Sequence, residues 1–280
     1  MKQLSLRLFF FMLMLLPTVM FQSCQPPDPK LTSRSESLTS GWKMLSSEKL
    51  EGTDGRAISM PDFRTDTWLE AVVPGTVMGS LAATGVIEDP YFGLNMQKVD
   101  EAQFRHPWWF RTTFQLSTED LKKLVSLRFN GINYRAELWV NGEQVAGKDE
   151  FAGAYRMFTF NIDNYVRAGE NTVALKIWQH ADGEYSIGFV DWNPLPIDRN
   201  MGIYREVLLE VNEGIKIRSP FVYSKVDKSS LKDADLFMQA EIFNSSDRKI
   251  EGILRMNFEL GIAEKKVSID PGDTLTCTFS

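Results

Sequence analysis

The sequence predicts an all-β protein: an antiparallel β-sandwich over residues 41–214, followed by a shorter second β unit over residues 215–280. Three observations carry this. Apolar residues recur with period two through segment after segment, turn signals fall about every ten residues, and only one stretch has helical spacing.

The first residues belong to a targeting segment rather than to the fold. Lys2 and Arg7 form a charged start, Leu8 to Val19 is an apolar run broken by Pro17, and "FQSC" leads into polar "QPPDPK". Residues 1–23 are therefore expected to be a signal peptide, and Ser23 before Cys24 resembles a bacterial lipoprotein cleavage site, making Cys24 the lipidation residue. A plain secretory signal is the alternative; either way the mature protein is exported to the periplasm or outer membrane. Residues 24–40, rich in proline and serine, read as a disordered tether, with ordered structure expected from Trp42.

"VPGTVMGSLAATGVIEDP" is the helical stretch. Thr76 can cap its start, Val77, Met78 and Leu81 give the spacing, and Gly85 suits its C-terminal end. From "WWFRTTFQL" onward the period is two: Trp108, Phe110, Thr112 and Phe114 share one face, and Trp109, Arg111 and Thr113 the other. Both tryptophans are assigned to the core. "VSLRFNG", "AELWVNGEQVAG", "MFTFNI", "NTVALKIWQ" and "REVLLEV" continue the series, and Asn141-Gly142 is a hairpin turn pair. Beyond Ile215, "IKIRSPFVYSKV", "ADLFMQAEIFNSS", "IEGILRMNFEL", "KKVSID" and "DTLTCTFS" read as strands of an immunoglobulin-like sandwich, which needs about 100 residues and seven strands. Residues 215–280 are thus expected to be a truncated copy of such a domain.

Composition narrows the function. With 43% hydrophobic residues a real core is affordable, and a net charge of -6 gives no electrostatic footprint for nucleic acid. Two cysteines and two histidines leave no disulfide framework and little room for a metal cluster, and no cofactor is expected. Cys277, alternating with Leu275 and Phe279, reads as a buried strand residue. Phosphate-cradling, His-Glu-x-x-His and Gly-x-Ser-x-Gly motifs are missing from the sequence.

The irregular stretch "DWNPLPIDRNMGIYREV", residues 191–207, is the exception to the β pattern. Its prolines make a stiff loop unsuited to a sheet. A carboxylate such as Asp191 accepts strong hydrogen bonds from sugar hydroxyls or from a charged amine, and the Trp192 indole can stack on a pyranose face. On the residues alone the bland readings stand equally: Asp191 as an Asx-turn residue and Trp192 as a core plug. Asn193, and Asn95 in "DPYFGLN", are substrate-binding candidates that serve as well as turn amides. Asp198 and Arg199 are expected to pair with each other or with neighbours at the surface, and Gly202 to supply a backbone conformation that other residues resist.

Seven segments in order over 42–211 carry a resemblance: "AVVPGTV", "DPYFGLN", "WWFRTTF", "FNGINYRAELWVNGEQVA", "GAYRMFTFNI", "GENTVALKI" and "DWNPLPIDRNMGIYREV". Together they resemble the N-terminal sugar-binding domain of glycoside hydrolase family 2, a galactose-binding-like jelly roll. The part from Ile215 is similar to that family's immunoglobulin-like second domain. The loop is most similar to the exo-β-glucosaminidase and β-mannosidase branch; Val190 and Asn193 stand where β-mannosidases carry tryptophan and glycine, which favours the glucosaminidase side.

The resemblance implies a retaining exo-β-glycosidase acting on a β-linked glycan, with Asp191 and Trp192 projecting over a (β/α)8 barrel of the same polypeptide. Such chemistry uses two carboxylates about 5–5.5 Å apart. The resemblance places both on the barrel, which these 280 residues lack, so no catalytic residue is assigned and the chain alone is expected to be inactive. Asn212-Glu213 mimics the family's catalytic Asn-Glu pair, but it follows the last strand of the sandwich and is read as a linker. The alternatives are a carbohydrate-binding surface lipoprotein that does not cleave, and a decayed remnant.

Overall fold

The computed structural model describes residues 33–187, 196–259 and 261–279. Two antiparallel sheets face each other in the first unit. One has four strands in the order β1 (Ser33–Ser37), β10 (Val207–Asn212), β5 (Leu124–Phe129), β8 (Phe158–Asn161). The other has six, in the order β3 (Leu69–Glu70), β2 (Lys43–Ser46), β4 (Trp108–Leu116), β9 (Gly169–Trp178), β6 (Arg135–Val140), β7 (Glu143–Ala146). The jelly-roll class expected from the sequence is what forms.

Alternation explains the core. Phe110 and Phe114 of β4, Leu127 and Phe129 of β5, Leu138 of β6, Leu175 of β9 and Leu209 of β10 pack in one cluster between the sheets. Each fully buried side chain of this size contributes about 1.5–3 kcal/mol of transfer free energy. The Asn141-Gly142 turn joins β6 to β7 with both residues at positive φ, 49° and 91°.

Residues 47–68 add a layer that alternation alone does not reveal. They cover the second face of β4, so Trp109 packs with Leu45, Ile58 and Trp68, and Arg111 is buried. The Arg111 guanidinium donates to the carbonyls of Ile58 and Met60, both at 3.0 Å. A second helix, α1 (Gly55–Ile58), lies in this layer, capped by Asp54; four residues are too few to show a helical period. The predicted helix is α2 (Val77–Ala83): Thr76 Oγ1 accepts the Gly79 N–H at 3.0 Å, and Gly85 takes φ 71°.

Two expectations change at the edges. Residues 33–37, assigned to the tether, form β1, which pairs with β10 from Ser33↔Asn212 to Ser37↔Leu208. Its side chains are all exposed, so the strand rests on backbone pairing and carries no apolar signal. In the second unit, β11 (Ile215–Val226), β12 (Ala234–Asn244) and β15 (Thr274–Phe279) make one sheet, and β13 (Ile250–Phe258) and β14 (Gly261–Ile269) the other. The strand β14 starts before the expected "KKVSID". Its core holds Met238, Ile242, Leu254, Ile269 and Phe279, with Cys277 buried as expected.

Candidate functional site

The connection from β9 to β10 runs from Gln179 to Glu206, and its central residues, 188–195, lie outside the described residues. Asp191, Trp192 and Asn193 fall there, as Cys24 does in the N-terminal segment. What the structure describes is the neck of this loop, and each of its limbs is fixed by named contacts.

On the outgoing limb, Glu184 pairs with Arg135 of β6 and accepts the Ala181 N–H at 2.6 Å. Arg199 of the return limb reaches across: its Nη1 donates to Asp182 Oδ1 at 2.7 Å and to the His180 carbonyl at 3.3 Å. Asp182 is 92% exposed, so this bridge closes the neck at the surface and adds little stability.

The return limb is held from inside. Asp198, expected at the surface beside Arg199, is 0% exposed and does not pair with it. Its Oδ1 accepts the Asn200 N–H at 2.9 Å and its Oδ2 the Met78 N–H at 3.3 Å, and the Thr76 hydroxyl also bonds to it. A buried charge needs such partners, and the first turn of α2 supplies free N–H groups. Burial nonetheless pushes the Asp198 carboxyl above the ordinary range, against the pull of these bonds.

Arg199 and Asn200 both take left-handed backbone, φ 50° and 56°. Buried Asn133, between β5 and β6, serves both: its Nδ2 donates to the Arg199 carbonyl at 2.9 Å and to the Asn200 carbonyl at 3.0 Å. Asn133 and Gly202 then exchange backbone bonds, both at 2.9 Å. Gly202 has φ 153°, and a Cβ there would lie 2.5 Å from the Gly75 carbonyl oxygen, so the expectation that only glycine fits holds. Val77 N–H to Met201 O and Gly75 N–H to Ile203 O, both 2.8 Å, tie the limb to the start of α2.

Asn95 sits on the turn that follows α2. Its Nδ2 donates to the Asp89 carbonyl at 3.0 Å, the turn-amide role. The Asp89 carboxylate accepts the Tyr91 N–H at 3.0 Å, and this braced turn presents Tyr91, Phe92 and Leu94, which are 84, 74 and 68% exposed. A cleft of about 500 Å³ lies beside the loop neck, lined by Arg105, His106, Trp178, His180, Asp182 and Arg199 among others. Among the described residues no group of three or more His, Cys, Asp or Glu side chains could hold a metal ion. Lys123 Nζ pairs with Glu213 Oε1 at 3.5 Å where the first unit meets the second, in keeping with a linker.

Asp198 and Asn133 are the residues that sequence reasoning missed. An Asp two positions before Asn200 is an Asx-turn pattern and could have hinted at the first; nothing around Asn133 marks it.

A β-sandwich with a stiff, internally clamped loop at one end defines a carbohydrate-enzyme module of the galactose-binding-like type. Residues 42–184 match the family model described as glycosyl hydrolase 2 galactose-binding domain-like, and the chain belongs to that family. It is 34% identical over 240 residues to an exo-β-D-glucosaminidase of Amycolatopsis orientalis, covering 85% of this chain and 23% of the relative. A Streptomyces avermitilis exo-β-D-glucosaminidase is 32% identical over 260 residues, 91% of this chain and 28% of the relative. The crystal structure of Amycolatopsis orientalis exo-chitosanase superposes with TM-score 0.79 at 33% identity, over 88% of this chain and 28% of that one. A Bacteroides uniformis β-glucuronidase, at 20% identity and TM-score 0.63, shares the fold. The chain thus spans about a quarter of the length of the relatives it matches.

Proposed function

We propose that the chain is the non-catalytic N-terminal part of an exported, retaining exo-β-glycosidase of the β-glucosaminidase or β-mannosidase kind. The observation that carries this reading is the 34% identity to an exo-β-D-glucosaminidase over 85% of the chain. The solved relative from Amycolatopsis orientalis was studied in complex with p-nitrophenyl-β-D-glucosamine. In this reading a catalytic barrel of the same polypeptide provides the nucleophile and the acid/base carboxylate, and hydrolysis runs through a covalent glycosyl-enzyme.

The contribution of this chain is a wall of the sugar pocket. Asp191 accepts hydrogen bonds from the terminal sugar, strongest from an ammonium group if that sugar is glucosamine. Trp192 stacks on its apolar face. The clamped neck supports the assignment, since a loop fixed at both ends loses less entropy when substrate arrives. Export follows from the signal at residues 1–23, with Cys24 lipidation as the anchor; among the described residues no helix is long and apolar enough to cross a membrane.

The purified 280-residue chain is expected not to turn over p-nitrophenyl β-D-glucosaminide or β-D-mannoside. Hydrolysis at an enzyme-like rate would overturn the reading. Stoichiometric calorimetric binding of a β-linked oligosaccharide, abolished by Trp192→Ala, would replace it with a self-sufficient binding module.

A further inference from the structure

Both segments singled out as substrate loops are mounted on one short helix. The return limb of the 179–206 connection meets the start of α2 through Asp198, Thr76 and two backbone bonds. The other end of α2 closes with the Gly85 and Val86 N–H groups on the carbonyls of Ala82 and Leu81, at 3.0 and 2.9 Å. Four residues later begins the turn that carries Asn95. That turn is braced by Phe92 N–H to Asp89 O at 3.2 Å and Asn95 N–H to Phe92 O at 3.1 Å.

A helix of seven residues has no standing of its own, because nucleation costs more than so few bonds return. Its frame comes from the packing of Val77, Met78 and Leu81 in the core and from whatever holds its ends. At the N-terminal end the carboxylate of Asp198 is the one charged partner in the joint, and charged acceptors make the stronger hydrogen bonds. It joins the Asn200 N–H on the limb to the Met78 N–H and the Thr76 hydroxyl on the helix.

We propose that Asp198 is a positioning residue that couples the 196–203 limb to the 89–95 turn through α2, so that the two loops hold one fixed relation. The functional meaning rests on the reading that these loops face substrate. The physical coupling does not, and it is measured without sugar or activity.

The test is hydrogen–deuterium exchange on the intact 280-residue chain and on Asp198→Asn. Asparagine offers one acceptor oxygen and places an N–H₂ group against backbone donors. Exchange is expected to rise about tenfold or more in peptides over 196–203 and over 84–95 together, with β4 and β9 unchanged. Acceleration confined to 196–203 would overturn the proposal, as would a uniform rise across the sandwich, which marks a general stability residue. Should Asp198→Asn fail to fold, Thr76→Ala decides by the same readout, because it removes one hydroxyl partner and keeps the carboxylate. Parallel acceleration in the two segments supports the coupling, and any other pattern refutes it. Failure of the sugar-pocket reading would appear separately, in binding and hydrolysis.

Discussion

The side-chain amide of Asn133 donates to the carbonyl of Asn200 at 3.0 Å, across 67 residues of sequence, and to that of Arg199 at 2.9 Å. One buried side chain thereby satisfies two carbonyls that left-handed backbone has turned away from any regular partner. The loop neck depends on it more than on the surface bridge between Arg199 and Asp182.

Asn133→Asp is expected to destabilise the sandwich by about 2–4 kcal/mol, since a carboxylate cannot donate and the carbonyls lose their partner without gaining water. Urea unfolding followed by tryptophan fluorescence measures this cleanly, because all seven tryptophans precede the second unit. A change below about 0.5 kcal/mol, the usual range for a surface site, would contradict the account.

Gly202→Ala is expected to cost about 2–4 kcal/mol, because it forces a side chain into φ 153° and against the Gly75 carbonyl. The Gly252→Ala change, at a position where a Cβ meets nothing within 4 Å, is the control and should stay near neutral. Equal effects at the two positions would refute the close approach.

The buried carboxyl of Asp198 gives a pH signature. Its folded value is raised by burial, while the unfolded chain titrates near the ordinary value of about 4. Between the two, the folded state holds more protons, so the contribution of this group is fully present below about pH 4 and is lost as pH rises through the raised value. The stability gap between the parent and Asp198→Asn should therefore shrink as pH rises through that window. Unfolding midpoints measured side by side across it decide the matter; a gap that stays flat or widens is the contrary result.

Cys24→Ser is expected to abolish incorporation of labelled fatty acid and to move the protein from the detergent phase to the aqueous phase. Unchanged partitioning would leave an unacylated secretory signal as the better account of the N-terminus.

The strands were legible where one face is apolar: β4, β5, β6 and β9 follow the alternation of Phe110, Leu127, Leu138 and Leu175. The helix α2 was legible from Thr76 and Gly85. Strand β1 was not, because Ser33 to Ser37 are wholly exposed and a strand held by backbone pairing needs no pattern. Helix α1 was too short to show one. The burial of Asp198 was hidden for another reason: its sequence neighbour Arg199 offered an obvious partner, while its actual partner, the Met78 N–H, lies 120 residues away. The placement of Asp191, Trp192 and Asn193 lies outside the described residues, so their roles rest on resemblance and chemistry.

The central claim, that this chain works as one part of a longer glycosidase, is tested most directly by the size of the native protein in its own cells. An immunoblot with an antibody against residues 42–211 is expected to show a band about three to four times the 32.0 kDa of this chain, as the coverage of its relatives implies. A stable band near 32.0 kDa would contradict the claim and give the sandwich a function of its own.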